Sequence, residues 1–252
     1  QPTADAAFDN AVCGFKDTLN AYPTVGSGMW SSLSPNVSVM SVDTAITPVT
    51  ATDTGTYSLV WTETNGLCSD QDQVDITFNT IPESDFTLTE IDCFGNNSTI
   101  EYTGNMGPLA NYEWNFDGGV ATPGTGQGPH QVNWATAGDF SVSLSVNENN
   151  CHSDTTTVIV NNPTELIVTG TVNDTVCFGD NDGEASISVS GGTGSYSYQW
   201  DDPYYQVTPT ASNLTGGTYT VTVSDDNGCE VSESINIHEP PQLNITFNSD
   251  VS

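Results

Sequence analysis

Six cysteines, Cys13, Cys68, Cys93, Cys151, Cys177 and Cys229, carry the clearest chemistry in this chain. Their number is even, none falls in a C-x-x-C pair, and the three histidines (His130, His152, His238) are scattered. Structural zinc shows tighter ligand pairs, so the pattern favours disulfides and with them an oxidising, extracytoplasmic setting. A second candidate chemistry is acidic. Asp180, Asp182 and Glu184 alternate in GDNDGEA, and hard oxygen ligands on a short loop are what calcium takes. The glycine is misplaced for an EF-hand loop, and a solvated acidic turn is the competing reading. Asp225 and Asp226, beside the connectors described below, form a second acidic candidate. Catalysis has no foothold. There is no G-x-S-x-G elbow, H-E-x-x-H helix or phosphate loop, and GTGQG (124–128) lacks the spacing of a dinucleotide fingerprint. The three histidines stand in three different repeats and are each expected on a strand or loop near the surface. No enzyme is expected, and no cofactor other than calcium.

The charge narrows the partners. Of 252 residues, 32 are acidic against one basic residue, Lys16, giving a formal net charge of −31 although only 13% of residues are charged. Nucleic-acid affinity depends on Lys and Arg neutralising phosphates, and anionic lipid attracts the same cations, so nucleic acid and membrane are excluded as expected partners. No apolar run reaches the roughly 18 residues of a membrane-spanning helix, and the first residues lack the basic-then-apolar pattern of a signal peptide. A soluble segment, mature or excised from something longer, is expected. One lysine and no arginine also leave trypsin-like proteases a single site.

Three stretches position the cysteines. GTYSLVWTETNGLCSD from Gly55, GDFSVSLSVNENNCHSD from Gly138 and GTYTVTVSDDNGCEV from Gly217 share one order: glycine, any residue, aromatic, alternating strand, Asn/Gly turn, cysteine, second strand. This predicts three β-hairpins. Upstream of each stand a further cysteine and a tryptophan: Cys13 with Trp30, Cys93 with Trp114, Cys177 with Trp200. Short Pro and acidic connectors, NTIPESD (79–85), NNPTE (161–165) and HEPPQ (238–242), separate the copies and would stiffen the joints. The organisation expected is a repeat over 1–80, a second over 81–162, a third over 163–239, and the first strand of a further copy over 240–252, as in a window on a longer array.

Repeats of about 80 residues, with short alternating strands and one central tryptophan, describe all-β, seven-stranded sandwiches of the immunoglobulin type in tandem. The Gly-x-aromatic element matches the tyrosine corner of that fold, most clearly at Asp53 to Tyr57. Two residues on, where an antibody domain has its core cysteine, stand Leu59, Val142 and Val221, so the cysteines here serve another purpose. The equivalent tryptophans are each expected in a core. Tyr204 and Tyr205 in DDPYYQ have no counterpart in the other copies and are candidates for exposed ligand contact, such as with a glycan, or for packing on a neighbouring repeat.

Pairing within a repeat, Cys13 with Cys68, Cys93 with Cys151 and Cys177 with Cys229, is the obvious scheme. In such a sandwich, however, the turn between the first and second strands lies at the pole opposite the last hairpin turn, about seven residues or roughly 23 Å away. A disulfide needs Cα atoms roughly 4.4–6.8 Å apart. The first cysteine of each repeat closes the first strand, since a second begins at Ser98–Tyr102 and Ala185–Val189, and the second cysteine opens the last strand. Stacked head to tail, the trailing pole of one sandwich meets the hairpin pole of the next. The favoured scheme is therefore Cys13–Cys151 and Cys93–Cys229, with Cys68 reaching back into a preceding repeat and Cys177 forward into the following one. Sequence leaves the intra-repeat scheme as the alternative.

Three resemblances accompany these readings. CFGDNDGEASISVSGGTGSYSYQW with LTGGTYTVTVSDDNGCE, over roughly 166–238, closely resembles the SprB repeat of Bacteroidetes gliding-motility adhesins. YEWNFDGG (112–119), His130 and TAGDFSVSLSV resemble a polycystic-kidney-disease-type (PKD) domain, with the turn aspartate and glycines shifted. The first copy is similar to the Ig-like or PKD-like repeats that accompany these. The resemblance implies a giant cell-surface adhesin exported by the type IX system, its repeats forming a stalk or filament, with neighbouring repeats and other copies of the filament as partners. It also implies O-glycosylation at Asp-Thr followed by a small or aliphatic residue, which here marks Thr18, Thr44, Thr155 and Thr175. A carbohydrate-binding module is the alternative function.

Overall fold

The computed structural model describes residues 1–246, and every regular element in them is a β-strand. The strands close around three separate apolar clusters, which span Ala6 to Phe78, Phe86 to Val160, and Ala185 to Ile237. The first cluster is enclosed by β1 (Asn10–Cys13), β2 (Lys16–Asn20), β3 (Ser27–Ser32), β4 (Val37–Val39), β5 (Ile46–Ala51), β6 (Gly55–Asn65) and β7 (Cys68–Asn79). They form two sheets, β1-β7-β6-β3 and β2-β5-β4. β1 runs parallel to β7, which leaves Cys13 beside Asn79 at the end of the last strand.

The second cluster lies between β8 (Phe86–Leu88), β9 (Ser98–Tyr102), β11 (Val120–Thr122) and β12 (His130–Asn133) on one side, ordered β11-β12-β9-β8. On the other are β10 (Asn111–Asn115) and β13 (Gly138–Glu148), with β14 (Cys151–His152) and β15 (Thr156–Asn162) both paired to β13. The third is built from β16 (Ile167–Asn173), β17 (Gly183–Ser190) and β19 (Thr210–Leu214) against β18 (Ser197–Trp200), β20 (Gly217–Ser224) and β21 (Glu230–Ile237). The fold is a tandem array of Ig-like sandwiches. The first sandwich has the expected seven strands, the second has eight because β14 and β15 both lie on β13, and the third has six. Residues 201–209 turn back on themselves between β18 and β19, where the other two sandwiches place an edge strand, β4 or β11.

Alternation explains why the three hairpins form. Inward positions are Leu59 and Trp61 on β6, Val142, Leu144 and Val146 on β13, and Val221 and Val223 on β20, all buried, with the residues between them less buried and, except for Val60, polar. Leu59, Val142 and Val221 thus occupy the core in place of a disulfide. The corner tyrosines also do what the pattern predicts. The Tyr219 hydroxyl donates to Thr215 O at 3.1 Å, and Tyr57 reaches both the carbonyl and the carboxylate of Asp53. These bonds pin the approach to the first and third hairpins, while the second carries Phe140 in that place.

Three expectations are corrected. Trp30 and Trp200 are buried, but Trp114 is only half-buried, and Trp134 fills the core of the second sandwich. The cause is the 112–116 run, in which Tyr112 takes the deep position while Trp114 stacks on Phe116 near the rim. His130, expected near the surface, is wholly buried. Its ring meets Trp114 and Phe116 edge-on, and its two nitrogens face the carbonyls of Pro123 and Gly126, so the surrounding loop accepts the ring N–H. Residues 240–246, expected to begin a further first strand, carry none, since such a strand needs a second one to pair with and none follows among the described residues. Residues 247–252 lie outside the described residues.

Candidate functional site at the joints between sandwiches

Each first cysteine sits at the trailing pole, Cys13 at the end of β1 and the other two on turns. In Cys93-Phe94-Gly95-Asn96 the Asn96 N–H donates to Cys93 O at 3.1 Å, and Gly95 takes φ +85°. A positive φ at the third turn position is the glycine requirement of a type II turn. Cys177-Phe178-Gly179-Asp180 repeats it, with Asp180 N–H to Cys177 O at 3.2 Å and φ +84° at Gly179. Cys93 and Cys177 are therefore displayed by the same local geometry.

Each second cysteine sits on the hairpin turn at the opposite pole. Asn149 and Asn150 both have left-handed backbones, the signature of a two-residue type I′ turn, and Cys151 follows directly, paired with Glu148. Cys68 holds the same hairpin position, paired with Asn65 across Gly66 and Leu67. The third turn is organised by Asp225, whose buried carboxylate accepts N–H bonds from Cys229 (2.9 Å), Asn227 (3.0 Å) and Thr193 (2.8 Å). Burial alone would push this carboxyl up, but those backbone donors outweigh it and hold it below the ordinary carboxylate value. Asp225 thus positions Cys229, and its side chain is occupied by the turn.

The two poles meet across the joints. Cys13 is bonded to Cys151 and Cys93 to Cys229, with Cα atoms 5.5 and 5.6 Å apart. The intra-repeat alternative is excluded in this structure. The sequence separations, 138 and 136, are nearly equal, so one step carries one sandwich to the next. Cys68 and Cys177 are unbonded and exposed.

The connectors are fixed as well. In the first, the Asn105 side chain donates to Ile81 O and accepts from Glu83 N–H, while the Tyr102 hydroxyl donates to Glu83 O at 2.9 Å. Ser84 donates to Asp154 O at 2.7 Å. In the second, Asn162 donates to the carbonyls of Trp134 and Thr136, and Asn227 donates to Asp92 O across the joint at 3.1 Å. An open crevice of about 360 Å³ remains beside this bridge, lined by Phe94, Pro163, Leu166 and Glu230 among others. Sequence reasoning missed Asn105 and Asn227 as joint residues, and read Asp225 as a cation candidate.

The other candidate residues do not converge. Asp182 accepts the Val176 N–H, Glu184 lies on β17 and accepts from Asn173, and Asp180 closes the Cys177 turn. Among the described residues no three Asp, Glu, His or Cys side chains gather into a cation-sized cluster. His130 is buried in the second sandwich, while His152 on β14 and His238 just past β21 are exposed. Thr18, Thr44 and Thr155 are exposed, as glycosylation requires. Thr175 is not: it is buried, with its hydroxyl donating to His238 O, because the Asp174-Thr175 pair ties the end of β16 to the chain leaving β21. Tyr204 and Tyr205 are exposed in the 201–209 loop.

Fold and joints together define a chain of Ig-like sandwiches cross-linked to their neighbours. Comparison with known proteins agrees. The SprB repeat family model matches residues 169–203, within the third sandwich. Among solved structures, the N-terminal eight Ig domains of Down Syndrome Cell Adhesion Molecule align over 95% of this chain with TM-score 0.54 at 16% identity. The chain spans 36% of that structure's length. Sidekick-1 immunoglobulin domains 1–5 align over 94% of the chain and 59% of theirs (13% identity, TM-score 0.40), and the mouse nectin-like molecule 4 ectodomain over 94% and 99% (11% identity, TM-score 0.39). A search of the curated proteins returns no match to this chain.

Proposed function

We propose that the chain is a structural stalk or filament segment of a large extracellular adhesin on a bacterial cell surface, without catalytic activity of its own. The observation that carries this reading is the pair of disulfides placed between sandwiches, at equivalent poles, rather than within them. A bridge across a joint converts a single connector into a double tether that resists bending and pulling. The matched SprB repeat and the acidic, protease-poor surface support an adhesin of the gliding-motility type, and the disulfides support an oxidising, extracellular location.

Cys68 and Cys177 extend the same logic. Each occupies the turn position of a cysteine that is bonded elsewhere in the array, so Cys177 pairs forward into a following sandwich and Cys68 backward into a preceding one. Small-angle scattering tests the mechanical reading. The oxidised chain is expected to fit one narrow distribution of inter-sandwich angles, and reduction is expected to broaden it with each sandwich still folded. Identical scattering in both states would remove the stiffening role.

A further inference from the structure

The loop 201–209 of the third sandwich is built more firmly than a connector needs. Asp202 is wholly buried, and its carboxylate accepts from Tyr204 N–H (2.9 Å), Gln206 N–H (2.8 Å) and the Gln206 side chain (3.0 Å). Burial would raise this carboxyl, but the bonds from Gln206 and Tyr204 outweigh it and keep it ionised below the usual range. Gln206 also spans to the Ser212 backbone in both directions, and Trp200 Nε1–H closes on Thr208 O at 2.9 Å. This scaffold holds Tyr205 at φ +51°, a left-handed conformation that a bulky aromatic residue rarely takes. Strained backbone of this kind persists only where the surroundings enforce it, and it concentrates at functional sites.

What the scaffold presents is two tyrosines, 65% and 71% exposed. Beside Tyr205 lies an open hollow of about 690 Å³, lined by Gln199, Trp200, Asp201, Thr220 and Thr222. Its size falls within the roughly 300–1,000 Å³ of small-ligand clefts. The floor is the outer face of β18 and β20, with Gln199 opposite Thr222. It continues outward as hydroxyl pairs, Thr220 with Ser234 and Thr222 with Ser232. The Tyr205 ring beside rows of hydroxyl, amide and carboxylate groups matches the two surfaces of a pyranose ring, its C–H face and its equatorial hydroxyls. The only cation in the sequence, Lys16, lies in the first sandwich, so an anionic sugar would find no partner here.

We propose that the Tyr204–Tyr205 loop and its hollow bind an uncharged glycan chain. This contact adds to the stalk reading without depending on it. The first and second sandwiches place edge strands where this loop stands, so the site belongs to the third sandwich alone.

The test uses the full chain and saturation-transfer NMR with calorimetry, against cellohexaose, laminarihexaose, maltohexaose and chitohexaose, with hexagalacturonate as the anionic counterpart. At least one neutral hexasaccharide is expected to bind. The Y204A/Y205G variant, in which glycine keeps the left-handed turn, is expected to weaken it at least tenfold with the melting profile retained. Leu33→Ala, at a fully exposed apolar residue of the first sandwich, is expected to change nothing. Failure of all four neutral probes, preference for hexagalacturonate, or unchanged affinity in Y204A/Y205G would overturn the proposal. So would loss of self-association as the only effect of that variant.

Discussion

Removing the second bridge in C93S/C229S lowers the stability of the third sandwich by an amount the topology sets. While the second sandwich stays folded, Cys93 is a fixed point. An unfolded third sandwich is then a chain anchored at Asn162, where β15 ends, and again at Cys229. That free loop is roughly 70 residues, and the chain-entropy relation gives about 4 kcal/mol for its closure. In a sandwich of this size each kcal/mol moves the midpoint by roughly 4–8 °C, so the third transition is expected to fall by about 15–30 °C. Calorimetry of the oxidised protein measures the shift, and hydrogen exchange of the β20 and β21 amides assigns it to the third sandwich. The first sandwich, tethered by Cys13–Cys151, is expected to keep its midpoint until reductant is added. An unchanged third transition in the oxidised variant would refute the reasoning, as would an equal loss confined to the first sandwich.

Other consequences are as direct. At high concentration in a glutathione redox buffer, the chain is expected to form disulfide-linked ladders on nonreducing gels through Cys68–Cys177 contacts. Either C68S or C177S should abolish them, and homotypic Cys68–Cys68 or Cys177–Cys177 dimers would contradict the matched poles. Burial, with lesser contributions from Tyr102 and Glu148, pushes the Tyr112 hydroxyl up to about 12. The unfolded chain loses that proton at the ordinary value near 10, so stability should fall as pH rises between about 10 and 12. Ultraviolet titration of the folded protein and of Tyr112→Phe checks this, and an ordinary phenol titration at Tyr112 would contradict it. A Cβ on Gly28 would come within 1.8 Å of the Trp61 ring. Gly28→Ala should destabilise the first sandwich by about 1–3 kcal/mol in denaturant titration, with the other transitions unmoved.

The poles of the cysteines were legible because each of the three hairpins states the same order. Strand direction then fixes which end of a sandwich a turn occupies, and chain order fixes which sandwich it faces. Burial inside one repeat was less legible. The aromatics of YEWNF share one face of β10, and alternation cannot say that Tyr112 rather than Trp114 goes deep. His130 looks like a surface residue until the 123–126 loop folds over it and offers two carbonyls. Asp225 reads as a cation candidate in sequence and Asp202 draws no notice there, whereas both are consumed by the N–H groups of tight turns, a role that the Asp-x-Asn-Gly spacing at 225–228 hints at for Asp225 alone. The missing strand of the third sandwich was not read from the sequence, which predicts seven in every copy; the segment between β18 and β19, 201–209, is shorter than the 33–45 and 116–129 segments that carry β4 and β11. Thr175 matched a modification motif as well as Thr18 did, and only the packing against Gly183 and His238 separates them.

The central claim is that the bridges lock joints rather than close folds, and nonreducing peptide mapping tests it most directly. With so few basic residues, cleavage at acidic residues separates the six cysteines better than trypsin does. The expected linked peptides are Cys13 with Cys151 and Cys93 with Cys229, with Cys68 and Cys177 recovered as alkylated thiols from the isolated chain. Peptides joining Cys13 to Cys68, Cys93 to Cys151 or Cys177 to Cys229 would contradict the account.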